Sequence, residues 1–155
     1  MKLSKKEIYK IAEEYNLGKV RKIELINEGW INFNFDIKTN KGSFIVQILG
    51  SGLNNWKKNK MKLEFAFLNY LAKKKFPYKI PTPILTSSGK AILKLGKKNL
   101  WVYNKIQGKM IKKVNINQFK QIAKALAIFH KYTKDFKWKA ENDKKHFYWM
   151  LKELE

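Results

Sequence analysis

Few residues in this 155-residue chain combine a reactive side chain or backbone with suggestive surroundings. Gly29, preceded by Glu28 and set between two runs of alternating apolar residues, occupies a turn where the missing Cβ would let backbone amides come close to a phosphate. Taken alone, such a glycine only turns a hairpin. Glu64 falls among Met61, Phe65, Leu68, Leu71 and Ala72 at helical spacing, which puts a carboxylate within an apolar stripe. Either it reaches water at the margin of the stripe or it is paired for a purpose. His130 also lies on an apolar stripe, where a single imidazole reads as a hydrogen-bonded core residue rather than a ligand or base. The sequence has no cysteine, so disulfides and thiolate metal sites are excluded, while no compartment is.

The elements that must position these residues are organised around residues 26 to 50. Asn40-Lys41-Gly42 is a hairpin signal, because Asn and Gly tolerate positive φ. It separates Phe33, Phe35 and Ile37 from Phe44, Val46 and Ile48, two runs of period two. Lys19 to Ile26 reads as a preceding strand, giving three sequential antiparallel strands with one buried face. Before them, Ser4-Lys5-Lys6-Glu7 is a capping box, followed by Ile8, Ile11, Ala12 and Tyr15 at helical spacing, with Gly18 as the stop. After them, Gly50 to Trp56 is loop and Lys60 to Lys75 is the helix that carries Glu64. Phe76 to Pro83, with three prolines, is an extended connector. A second hairpin is expected from Ile84 to Thr86 and Ala91 to Leu95, then a turn at Gly96-Lys97-Lys98 and the strand Leu100 to Tyr103. The remainder reads as helical, over Asn117 to Tyr132 and about Asp143 to Leu154.

The formal charge of +22 invites a nucleic-acid partner. Arg21, however, is the only arginine among 34 basic residues, and Lys, Asn, Ile, Phe and Tyr abound, as an AT-rich genome would dictate on any surface. A chain nearly without arginine is poorly equipped for bidentate phosphate and base contacts, so solvated lysine faces are the better account. No stretch reaches the length of a membrane span and no apolar run follows the charged N-terminus. A cytoplasmic protein without a membrane partner is the expectation.

The order of elements resembles the nucleotide-binding lobe of the protein-kinase-like fold. More narrowly, it is similar to the aminoglycoside phosphotransferase and choline kinase-like superfamily, which includes homoserine kinase of the second type and N-acetylhexosamine kinase. The residues that carry the resemblance are Gly29-Trp30-Ile31-Asn32-Phe33-Asn34-Phe35, Phe44 to Leu49, Pro81-Thr82-Pro83, Val102 to Gly108, and Ala125-Leu126-Ala127-Ile128-Phe129-His130, in family order. The implied fold is α+β: a leading helix, a five-stranded antiparallel sheet with one inserted helix, and then helices of an incomplete second lobe. The implied division is a nucleotide-binding lobe over 1–103, a linker over 104–109 and helices over 110–155.

By position, the resemblance implies ATP as cofactor. The Glu28-Gly29 turn would lie over its phosphates, with Asn32 donating from its side chain. Ile26 and Ile45 would form an apolar ceiling over adenine, and backbone groups near Tyr103, Lys105 and Ile106 would meet the base edge. Glu64 would be the helix glutamate that pairs with a basic residue on the third strand. That strand instead carries Gln47, which can hydrogen-bond a phosphate without supplying charge.

The family's His-x-Asp-x-x-x-x-Asn loop, which orients the acceptor hydroxyl and holds Mg2+, is absent. Neither His130 nor His146 has Asp two positions on, and none of Asp36, Asp135 and Asp143 has Asn five positions on. The expectation is therefore the ATP-binding lobe of a small-molecule kinase for a hydroxyl of a sugar, amino acid or amino alcohol, truncated and inactive alone. Its metal ligands would lie elsewhere. The alternative is a non-catalytic nucleotide-, protein- or RNA-binding module.

Overall fold

The computed structural model describes residues 3–26, 32–50, 53–109 and 111–138, apart from the side chains of Asn55 and Trp56. Helix α1 (Lys5–Glu14) begins where the capping box predicts: Ser4 Oγ accepts from the Glu7 amide, and Glu7 returns a carboxylate oxygen to the Ser4 amide. Strands β1 (Val20–Ile26), β2 (Phe33–Thr39) and β3 (Ser43–Ile48) follow the expected meander. Helix α2 (Asn55–Lys73) starts five residues earlier than apolar periodicity suggests, because Asn54 caps it by accepting from the Lys57 amide. Strands β4 (Ile92–Leu95) and β5 (Lys98–Asn104) complete the sheet, and α3 (Ile116–Thr133), capped by Asn115, comes last. The second terminal helix expected near Asp143 to Leu154 lies outside the described residues.

All five strands are antiparallel, in the order β1-β2-β3-β5-β4, and the architecture is α+β. Period-two alternation gives the sheet two unlike faces. One is apolar: Phe35, Ile37, Phe44, Val46, Ile48, Leu100 and Val102 pack against Ile8, Ile11, Tyr15 and Leu17 of α1 and its C-terminal turn. Tyr15 closes this core by donating its hydroxyl to the carbonyls of Ala91, at 2.9 Å, and Leu100, at 3.2 Å. Gly18 has φ +87, and a Cβ there would run into the Asn40 side chain, whose Oδ1 accepts from the Lys19 amide at 2.6 Å. The glycine therefore lets the turn after α1 dock on the β2–β3 hairpin.

Two expectations fail for physical reasons. Ile84 to Thr86 is not a strand: Pro83 makes an isolated bridge to Tyr103 and the Ile84 amide donates to the Val102 carbonyl, but proline has no amide with which to continue the ladder. His130 is exposed rather than a core residue. The face of α3 that packs is rotated from the one periodicity favours. Phe129 meets Phe67 of α2 and Phe76, and Tyr132 meets Phe76, while Phe119 and Leu126 stand in solvent.

Candidate active site

The second face of the sheet carries the polar residues. Strand register places Asn34 opposite Gln47, and Gln47 opposite Trp101, with Ile26 and Ile92 at the ends of this row. One row nearer the end of β5, Glu24, Asp36, Ile45 and Tyr103 lie side by side. Helix α2 covers the first row from one side, with Met61 and Phe65 packed on Trp101; the Phe65 and Trp101 rings are 5.0 Å apart. Tyr103 stacks beside Trp101 with centroids at 4.8 Å.

Hydrogen-bond polarity along the first row runs one way. Trp101 Nε1–H donates to Gln47 Oε1 at 2.7 Å, and Gln47 Nε2 donates to Asn34 Oδ1 at 3.1 Å. Indole can only donate, so the Gln47 atom facing it must be the carbonyl oxygen, and this fixes the amide's orientation. The second Gln47 N–H and the Asn34 amide hydrogens remain as donors on this face. Asn32, at the head of β2, likewise turns its carbonyl oxygen to the Gly50 amide, at 3.4 Å, and keeps its amide hydrogens. Three neutral amide groups are thus set in one region with donor capacity to spare.

In the second row, Ile45 is buried, at 6% exposed. Its neighbour Asp36, 5% exposed, binds Lys105 Nζ through Oδ2 at 2.5 Å, whereas Asp36 Oδ1 is buried without a hydrogen-bond partner. Lys105 is anchored by its backbone as well, its amide donating to the Ser43 carbonyl at 2.9 Å. Tyr103 is half-buried; burial raises its hydroxyl pKa, and the negative charge of Glu64 raises it further.

The sequence-predicted residues are placed as follows. Ile26, Ile45, Gln47 and Tyr103 share this face, and Asn32 adjoins it. Glu64 is exposed at the margin of its stripe, close enough for its charge to act on Tyr103. The Lys105 amide is committed to Ser43 and its side chain to Asp36; Ile106, just beyond, is 40% exposed. Glu28 and Gly29 lie outside the described residues. Asn34, Asp36 and Trp101 were not anticipated, although alternation along β2 and β5 puts all three on the face of Gln47. Two clefts of about 560 and 590 Å³ occur elsewhere, one between α1 and the β4–β5 turn and one beside Thr86 and Asn99. Neither includes Ile45, Gln47 or Tyr103. Among the described residues, no group of three or more His, Asp or Glu could hold a metal.

A sequence model of the phosphotransferase enzyme family matches residues 22–154, most of the chain. The chain belongs to this family. Within it, homoserine kinase of Sinorhizobium medicae (strain WSM419) is 21% identical over 140 residues, which are 90% of this chain and 41% of that protein. Among solved structures, spectinomycin phosphotransferase in complex with ADP and spectinomycin matches with a TM-score of 0.64 at 15% identity, over 85% of this chain and 39% of that one. The latter likeness shows the fold. This phosphotransferase-family chain spans about two-fifths of the length of each. Among its described residues no helix is long and apolar enough to cross a membrane.

Proposed function

We propose that this chain is the ATP-binding lobe of a small-molecule kinase, and that the polar face of its sheet receives the nucleotide. The supporting observation is the one-way row from Trp101 through Gln47 to Asn34, which leaves oriented amide N–H groups near the head of β2. Donors held in place before a ligand arrives cost nothing to reorganise, and phosphate oxygens are acceptors only. Next to them, Ile45 and Ile26 offer an apolar slab for a purine, and the chain after Tyr103 offers backbone groups for its edge. In this arrangement residues up to 103 form the nucleotide lobe, 104–109 the linker and 110 onward the first part of a helical lobe.

The family and the relatives support this choice of nucleotide and acceptor class: one relative is a homoserine kinase, and the other was solved with ADP and spectinomycin. The acceptor is accordingly a hydroxyl of a sugar, amino acid or amino alcohol. Where the family resemblance implies a basic residue, Gln47 supplies hydrogen bonds without charge, so phosphate contact at this point is weaker than a lysine would give. Glu64, exposed and near enough for its charge to act on Tyr103, has no basic residue at position 47 to pair with. When bound, Mg2+ would neutralise phosphate charge; its ligands are not assembled among the described residues, and we assign them, with the acceptor-orienting aspartate, to polypeptide outside this sequence.

The test is a titration with ATP at two salt concentrations. Saturable binding that weakens on substitution of Gly29 or Glu28 is expected, with no phosphoryl transfer to candidate acceptors by the chain alone. Turnover by the isolated chain would refute the assignment of the missing groups. A steep salt dependence toward single-stranded RNA, with no ATP signal, would instead favour the lysine-rich surface as a binding module.

A further inference from the structure

The Asp36–Lys105 ion pair has a geometric consequence. Strand β3 lies between β2, which carries Asp36, and β5, which Lys105 follows, so the pair spans two strand spacings, about 10 Å. Lys105 starts beside Ser43, to which its amide is bonded, and ends at Asp36, which is the register partner of Ile45. Residues 101, 103 and 105 alternate onto the polar face, as do Asp36 and Ile45. The lysine side chain must therefore cross β3 on that face between Ser43 and Ile45. That path runs beside Ile45, which is 6% exposed.

We propose that Lys105 is a removable cover: pinned by Asp36, its side chain lies over Ile45 in the free chain, and a purine base reaches Ile45 only when this arm lets go. The inference rests on Ile45 being the base-contacting slab proposed above. Two features suit the arm to release. Lys105 keeps 31% of its side-chain surface exposed, so its ammonium can return to water with little rearrangement. Asp36 Oδ1 is buried and unpartnered, so the closed pair leaves one acceptor unsatisfied, an arrangement a more permanent ion pair would avoid. Asp36 and Lys105 then act as positioning residues that set access to the base site rather than as groups that touch phosphate.

Adenosine is the appropriate probe, because it has no phosphate and its binding is indifferent to the loss of a lysine charge. Binding to the full chain is followed through the Ile45 methyl resonances in the wild type, in Lys105→Met and in the double variant Asp36→Asn with Lys105→Met. Methionine keeps an unbranched arm one atom shorter and without its pin, and the double variant avoids stranding a buried carboxylate if the single one fails to fold. The expected result is adenosine binding about two- to fivefold tighter in the variants, the ratio that release of a partly exposed ion pair corresponds to. A merely structural pair would give the opposite sign, since loosening the site weakens binding. Affinity in the double variant equal to or below that of the wild type overturns the cover and leaves the nucleotide site standing. Adenosine that shifts Ile45 in none of the three proteins overturns both.

Discussion

Replacing Gln47 with Met tests the amide row directly. Methionine has nearly the length of glutamine and no hydrogen-bonding amide, so the substitution strands Trp101 Nε1–H and Asn34 Oδ1 with little change in volume. Trp101 is 3% exposed and its N–H donates to Gln47 at 2.7 Å, so water cannot readily replace the lost acceptor. A buried donor left unpaired costs about 1–3 kcal/mol. Asn34 is half-buried and its bond is longer, at 3.1 Å, so its share is smaller. The sum is about 2 kcal/mol of lost stability, measured by urea denaturation, or roughly 4–8 °C in Tm for a chain of this size. Trp101→Phe removes the donor along with some ring contact to Phe65 and Tyr103. In the double variant the stranded N–H no longer exists, so the two costs should fall short of additive by about 1 kcal/mol. ATP affinity should drop with Gln47→Met as well, since the oriented N–H goes with the amide. A single-variant cost below about 0.5 kcal/mol, or strict additivity, would show that the row is not a fixed hydrogen-bonded unit.

Tyr15 gives a prediction in pH. Burial pushes its hydroxyl pKa well above the ordinary tyrosine value, so the folded state holds the proton more tightly than the unfolded one. The stability this confers is complete below the unfolded pKa, near 10, and is lost as pH rises above it. Tyr15→Phe should cost about 1 kcal/mol at neutral pH through the bonds to Ala91 and Leu100, and should flatten the alkaline decline seen in denaturation measured from pH 9 to 11. On α3, Phe119 and Leu126 are 63% and 53% exposed, so converting both to Ser should change unfolding free energy by less than about 0.5 kcal/mol. The same double change should reduce self-association and binding of an apolar dye, which gel filtration and fluorescence would register.

Local chemistry makes much of the fold legible in the sequence. Ser4 and Glu7 announce α1, Asn40 and Gly42 announce the β2–β3 hairpin, and alternation from Phe33 to Ile48 announces the apolar face, because each signal acts over a few residues. The start of α2 was missed because Asn54 caps a first turn of Asn55, Trp56 and lysines, which has no apolar stripe to reveal it. Ile84 to Thr86 was misread because its apolar pattern fits a strand, while its partner across β5 is a proline-led segment. His130 was misplaced because helical periodicity gives the spacing of an apolar stripe but not which part of it meets a neighbour; aromatic contacts to Phe67 and Phe76 made that choice. For the site, the sequence named Ile45, Gln47 and Tyr103. It could not name Asp36 or Trp101, whose importance arises from pairing across strands that are 69 and 54 residues distant in the chain.

The two faces of the sheet differ in what they contribute. The α1 face is apolar throughout, and a buried aliphatic or aromatic side chain there contributes about 1.5–3 kcal/mol. On the other face, the corresponding positions on β2 and β3 hold Asn34, Asp36 and Gln47, which in place of apolar residues forgo that burial and must instead satisfy their polar atoms. These demands are met internally only in part: Gln47 Oε1 accepts from Trp101, one Gln47 N–H donates to Asn34, and one oxygen of Asp36 binds Lys105. What remains unspent is directional, with amide N–H groups near the head of β2 and one carboxylate oxygen beside Ile45. A sheet selected only for stability would fill these positions with branched aliphatics, as it does on the α1 face. Polar residues at these positions, at a cost in burial and next to the buried Ile45, are what a face used for binding rather than for folding would carry.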